Sequence, residues 1–527
     1  MAHNTSSDTE SHLLSSQITF LEHEKTRLLL ELDKVNQKLT TTRADYHTLH
    51  NRQLPISKLP LELLASIFLL IQESSRIPGG TIVAFEVVAS HVCRHWRAIS
   101  LGTPLLWSKI DISIITQRDV ELKNLEGFKT KLSIYLTRSS TCPVVIFLKL
   151  PCSVLLDDYL PILLPHANRW YRLSIDLWAG DLQEDEVLIH LGSAYTPLLQ
   201  HLSITCNRWQ RNRGEPPPVK FSTVTPTILT SGAPALTFAR LAGKVLGVVQ
   251  PPLHTVQTLH LEGGFKQYMS YDQFITLFTS LPSLVNLSLT DFIVRLPQDP
   301  FITPKPISLP SLRCLRLCGT NTPAHRLLTL LSLPNIDNLV LREIDSFESL
   351  VLMNPVIRTL TLRECAFSEE EVREVVKAFP MAVNVAFDDS IPQLLDLLGT
   401  GTETDDDLGL DTEDSQQQQH LGPYPWPHLG TLTLLDMRTR DVIPLCRMVE
   451  RMKMSGRIVP IVRLTRRARS VLKLKDRLEW LKGMTKVESW DCFVDGVNGG
   501  GGAGTGGGEG EGGRWPPGLG YIDEEDF

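Results

Sequence analysis

The chain lacks a CxxC pair, an HExxH stretch, a GxSxG elbow and any glycine-rich loop followed by Lys and Ser or Thr. Zinc hydrolysis, serine-nucleophile chemistry and phosphate cradling therefore have no starting constellation. The nine cysteines are scattered, and the nearest two, Cys314 and Cys318, suit free thiols in a reducing compartment better than disulfides or zinc. His91 and His95 fit one helical face, where the second can pack near the docking surface, and their spacing alone does not make a metal site. Long apolar runs are missing too: the most apolar stretch, Leu59 to Ile71, contains Glu62 and falls short of the roughly 18 residues a membrane span needs. Met1 to His12 has neither the basic start nor the apolar run of a secretory signal, so an intracellular chain, cytoplasmic or nuclear, is expected. A formal net charge of -7 leaves no global basic field for nucleic acid. No catalytic residue, cofactor or metal is expected, and neither membrane nor nucleic acid is an expected partner.

What is present is apolar material, 42% of 527 residues, enough for several domains or one elongated array. After a polar start at residues 1–12, expected to be disordered, residues 13–50 carry a heptad stripe. Leu14, Ile18, Leu21, Lys25, Leu28, Leu32, Val35, Leu39, Thr42, Tyr46 and Leu49 alternate spacings of four and three. Charged flanks such as Glu22, Glu31 and Lys38 suit water. Self-association through 14–49 and an amphipathic helix folded back on the chain both fit this coiled-coil-like pattern. Pro55 stops the helix.

Residues 54–110 follow. Pro60 and Glu62 suit the start of a helix, and between Leu61 and Ile71 only Glu62 and Ser66 are polar. A short helix apolar on nearly every side has one face to spare after its own domain is satisfied. A second helical stretch is expected from about Ile82 to Ser100, with Val92, Trp96 and Ile99 on one face, and Pro104-Leu-Leu-Trp107 closes the module. The three ordered blocks, Leu59-Pro60-x-Glu62-Leu63-Leu64-x-x-Ile67-Phe68, Val92-Cys93-Arg94-x-Trp96-Arg97 and Pro104-Leu105-x-Trp107, resemble an F-box of the type common in fungal proteins. The resemblance implies docking to a Skp-family adaptor, and through it to a cullin-RING ubiquitin ligase. Leu59, Pro60, Leu63, Leu64, Ile67, Phe68 and Trp96 would carry the docking surface.

Downstream, L-x-x-L-x-L units begin at Leu199, Val256, Leu284, Leu312, Ile336 and Ile357, with weaker copies at Trp170, Ala382 and Leu429. The five starts from Val256 to Ile357 fall at intervals within the 20 to 29 residues of leucine-rich repeats. Proline precedes several of them, in Leu281-Pro-Ser, Leu309-Pro-Ser and Leu333-Pro-Asn, where a strand has not yet begun. Tyr271 to Ser280 and Pro323 to Leu331 have helical spacing, while Lys131 to Leu136 and Val144 to Leu150 read as strands. The expected fold is α/β: an N-terminal coiled-coil-like helix, a small helical F-box module, then an irregular leucine-rich repeat solenoid over 130–495. The solenoid would have one strand per turn and helices or loops on its convex side.

Alternate strand residues would leave Thr290, Cys318, Arg342 and Arg363 in one column and Ser288, Arg316, Val340 and Thr361 in the next. Arg316, Arg342 and Arg363 are the candidate target-binding residues, suited to an acidic or phosphorylated segment. The competing expectation is a solvated face with the arginines paired to nearby Glu. Residues 207–219 read as an exposed loop, 399–422 as a disordered insertion, and 496–527 as a glycine-rich disordered tail. The basic stretch Arg457 to Lys486 is interleaved with core positions such as Leu464, Leu472, Leu474, Leu478 and Leu481 and reads as a solvated face on a capping segment. The function expected from the resemblance is a substrate-recognition adaptor; the alternative is an interaction scaffold without ligase delivery, on the same repeat domain. A chain lacking residues 402–419 is expected to show the melting transition of the intact protein in scanning calorimetry; a lowered or broadened transition contradicts the insertion's dispensability.

Overall fold

A computed structural model describes residues 4–74, 84–113, 125–150, 154–177, 191–206, 226–247, 249–263, 268–296, 304–348, 357–388, 393–400 and 426–490. The expected loop at 207–219, residues 401–422 of the expected insertion and the tail at 496–527 lie outside them. The chain divides into two compact units, residues 1–107 and 108–527.

The first unit opens with helix α1, Asn4–Gln53. It begins inside the segment expected to lack structure, because no glycine or proline interrupts the chain between Asn4 and Gln53. A single 3-10 turn, Pro55–Lys58, separates it from α2, Leu61–Ser74. The stretch expected as one helix up to Ser100 is two, α3 (Phe85–Val92) and α4 (Arg94–Gly102). Cys93 breaks them: its backbone is extended and its Sγ accepts the Trp96 N–H at 3.4 Å, so it ends one helix and caps the next. Val92, Trp96 and Ile99 consequently do not share a face; Val92 is exposed while Ile99 is buried.

The second unit holds a fourteen-stranded sheet that is parallel throughout, running from Lys109–Ser113 to Val487–Ser489. Strands lie side by side in the order in which they occur in the chain, apart from short strands that form two separate pairs. It is a mixed α/β unit. The nine L-x-x-L-x-L copies all fall on these strands, in register: Leu259 faces Leu287, Leu287 faces Leu315, Leu315 faces Leu339, and Leu339 faces Leu360. These five leucines are completely buried. One strand alone cannot enclose its leucines, and each is covered only once the neighbouring copies are in place. Full burial of each contributes about 1.5–3 kcal/mol.

The sheet starts earlier than the expected array. Lys109–Ser113 alternates in burial, Ile110 and Ile112 are enclosed, and the strand pairs with Val144–Leu150. Lys131 to Leu136, expected as a strand, lies within a helix, Leu125–Arg138. Six residues alternate there, but over fourteen the buried positions Leu132, Tyr135 and Leu136 follow the helical period. Tyr271–Thr279 and Ala324–Leu330 are helices, as their spacing predicts, the first held by a capping box in which Ser270 and Gln273 exchange hydrogen bonds.

Four consecutive strands are each followed by a residue with positive φ: Asp291 (45°), Gly319 (94°), Glu343 (54°) and Glu364 (55°). The left-handed turn aims the N–H back at the sheet. Asp291 N–H donates to Cys318 O at 2.9 Å, Gly319 to Arg342 O at 3.0 Å and Glu343 to Arg363 O at 2.9 Å, adding one rung to each ladder before the chain departs. A Cβ at Gly319 would meet Asp291 Oδ1, an oxygen that already accepts from the Asn321 backbone N–H at 3.3 Å. Gly319→Ala is therefore expected to destabilise the second unit by roughly 1–3 kcal/mol. Denaturant unfolding checks this, and an unchanged midpoint contradicts it.

Candidate docking surface

α2 has apolar residues on two faces, and the first unit encloses one of them. Leu64, Phe68 and Gln72, each four residues after the last, form the inward stripe; Leu64 is 0% exposed and Phe68 1%. The Phe68 ring lies 4.8 Å from Trp96 and meets Phe85 edge-on at 5.6 Å. Gln72 Nε2 donates to Glu86 Oε2 at 2.7 Å and to Leu106 O at 2.8 Å, which ties α2 to α3 and to the 3-10 turn Pro104–Trp107. That turn is fixed in its own right by Trp107 Nε1, which donates to Ser100 O at 2.8 Å. Buried polar groups of this kind are tolerated only when their hydrogen bonds are made.

The opposite stripe is uncovered. Leu63, Ile67 and Leu70, spaced by four and three, are 53%, 37% and 65% exposed, and Leu61 beside the helix start is exposed as well. Val88, Val92, Leu101 and Leu105 of the same unit are also exposed. The expected docking residues thus separate into two groups. Leu63, Ile67 and Pro60 face solvent and Leu59 is half-buried, whereas Leu64 and Phe68 belong to the core and Trp96, half-buried, supports Phe68. Leu70 was not among the expected docking residues, although its spacing of seven from Leu63 placed it on their face. Covering the exposed fractions of Leu63, Ile67 and Leu70 would contribute about 2–5 kcal/mol before the costs of association.

In the second unit, register aligns Cys318, Arg342 and Arg363 in one column and Ser288, Arg316, Val340 and Thr361 in the next, as the repeat alignment predicts. The candidate arginines are nevertheless already engaged. Arg316 is buried, with Nη2 3.8 Å from Cys318 Sγ. Arg342 lies 3.3 Å from Glu343 and 3.5 Å from Glu364, and Arg363 lies 3.5 Å from Glu364. Burial alone would lower the Arg342 pKa; the Glu364 carboxylate, with a smaller share from Glu343, reverses this and holds it above the ordinary value. The glutamates that neutralise the arginines are the residues in the left-handed turns. Leu474, read as a core position in the basic stretch, is exposed, while Leu464, Leu472, Leu478 and Leu481 are buried; Arg463 pairs with Glu488 at 2.9 Å.

Sequence reasoning missed a polar cluster on the sheet. His201, Phe238 and His260 stack across adjacent strands, the first two with ring centroids 3.9 Å apart and planes within 7°. Arg240 pairs with Glu262 at 3.1 Å, and both line a recess with His260, Ser288, Thr290 and Arg316. The strand Phe238–Gly243 escaped because Leu236, Ala239 and Leu241 fit the repeat only if alanine is admitted at its second position. Among the described residues no three His, Cys, Asp or Glu side chains are grouped to hold a metal, and no helix is long and apolar enough to cross a membrane. A scan of family models and a search of curated proteins return no match to this chain.

Burial, and then Arg172, His260 and Arg240 around it, holds the His201 pKa well below the ordinary imidazole value of 6.5. Burial lowers those of His166 and His325 as well. The folded state takes up protons at these rings less readily than the unfolded chain does. Their contribution to stability is complete above 6.5 and is lost as pH falls below it, with a slope of up to roughly 1.4 kcal/mol per pH unit for each fully neutral ring. His201→Gln is expected to weaken this acid dependence, measured as the denaturant midpoint at about pH 7.5 and about pH 5.5. Equal slopes in the variant and the native chain would contradict it.

Proposed function

We propose that the chain is a substrate-recognition adaptor of a Skp-cullin-F-box type ubiquitin ligase. In this reading the first unit docks a Skp-family adaptor through the outer stripe of α2, and the second holds a target protein. The observation that carries the proposal is the division of α2, with Leu64 and Phe68 committed to the core and Leu63, Ile67 and Leu70 left in solvent. A helix with one apolar stripe to spare fits a helix or groove of another protein. The resemblance of the three sequence blocks to an F-box names which protein that would be.

The same reading takes the second unit as a leucine-rich-repeat-like solenoid with one strand per turn. Support comes from strand order that follows chain order and from the stacked leucines of the repeat. The chain would perform no bond chemistry. Its contribution is proximity, which raises the effective concentration of a target lysine near a conjugating enzyme held elsewhere in the complex. Target contacts would fall outside the Arg342 and Arg363 column, whose charges Glu343 and Glu364 already balance.

Co-purification of the full chain with a Skp-family adaptor tests this. Leu63→Asp combined with Ile67→Asp is expected to reduce affinity at least about tenfold while leaving the melting transition in place, because both side chains face solvent. Recovery equal to that of the native chain contradicts the docking surface. Loss of adaptor binding without any rise in the abundance of a target leaves the scaffold alternative.

A further inference from the structure

Among the described residues of the first unit, nothing covers the seam of α1. Leu14, Ile18, Leu21, Leu28, Leu32, Val35, Leu39, Tyr46 and Leu49 are between 46% and 67% exposed. A fold-back onto the other described residues of the first unit is therefore not the arrangement of this helix. A fifty-residue helix with an unburied heptad seam calls for a second helix, and the positions of its charges specify which.

We propose that α1 pairs with the α1 of a second copy of this chain as an antiparallel two-stranded coiled coil, in the register that sets Lys25 of one copy opposite Thr42 of the other. The two polar interruptions of the seam then occupy the same layers, one in each half of the pair. Between residues 18 and 49 the remaining layers are apolar: Ile18 with Leu49, Leu21 with Tyr46, Leu28 with Leu39, and Leu32 with Val35, while Leu14 comes opposite Gln53 at the helix end. A slip of one heptad in either direction places Lys25 against Val35 or Leu49 and buries a charge against hydrocarbon. The flanking positions agree. Glu22 comes beside Arg43 of the other copy and Glu31 beside Lys38, each pair occurring twice by symmetry. Glu24 comes beside Asp45, an unfavourable pair that Arg27 offsets by holding Glu24 on its own helix.

A parallel pair fares worse on the same residues. It sets Lys25 against Lys25 in the seam and Lys38 against Arg43 on the flank, with no opposing Glu or Asp to compensate. Antiparallel pairing also places the two copies of residues 54–107 at opposite ends of the coil, each attached to a C-terminal end of α1.

The test uses the full chain. Light scattering is expected to give twice the 59.1 kDa chain mass, and Leu28→Lys with Leu39→Lys is expected to return it to the monomer with the melting of the two units unchanged. A monomeric native chain, or a dimer indifferent to this double variant, overturns the proposal. Orientation is read by mixing Ile18→Cys chains with Leu49→Cys chains under mild oxidation and mapping the linked peptides. Disulfides between positions 18 and 49 are expected; links between identical positions indicate the parallel pair and overturn the antiparallel one.

Discussion

An apolar side chain must be covered by something, and α2 has more apolar faces than its unit has cover. Phe68, wedged between Phe85 and Trp96, decides the matter. Once that ring and Leu64 are inside, the helical period forces Leu63, Ile67 and Leu70 to the other side, and no rotation of α2 can bury both stripes. The Gln72 hydrogen bonds to Glu86 and Leu106 fix the rotation, since turning the helix outward would strand buried polar groups. The exposed stripe follows from the geometry of the core and is not an accident of surface composition. The same shortage of cover governs α1 in a purer form, because none of its seam is enclosed.

The second unit answers the same constraint differently. Each strand there is covered by the next, so leucines that would be exposed in one copy become core in the array. Turns in left-handed conformation let the chain leave three of the strands with the N–H of Asp291, Gly319 or Glu343 satisfied by the next strand, and at Glu343 and Glu364 such turns also bring carboxylates beside Arg342 and Arg363. Charge that looked free along the strands is thus consumed by the turns that end them. Burial of His201 and its stacking on Phe238 tie the sheet to neutral imidazoles, which is why acid is expected to loosen it.

Much of this was legible in the residues, and what was not has physical causes. Nine repeat copies were visible because the face that each strand turns to the core tolerates little besides leucine and its relatives at fixed spacing. Leu236-Thr-Phe-Ala239 was invisible, since alanine fills a position where leucine carries the signal. Lys131 to Leu136 misled because six alternating residues fit both periods, and only the longer window reveals Leu132, Tyr135 and Leu136 as one helical face. Cys93 gave no warning of a helix break, since a thiol is an unusual capping group. For the docking surface, composition showed a helix with a spare face without telling which side would be spare; that depended on contacts of Phe68 with residues 17 and 28 positions away.

The most direct measurement is amide hydrogen exchange of the full chain with and without a purified Skp-family adaptor. The division of α2 predicts slowed exchange across Leu61–Ser74, with residues 108–490 unaffected. Unchanged exchange in α2, or protection appearing only in the large sheet, would contradict the claim that the spare stripe is where another protein is held.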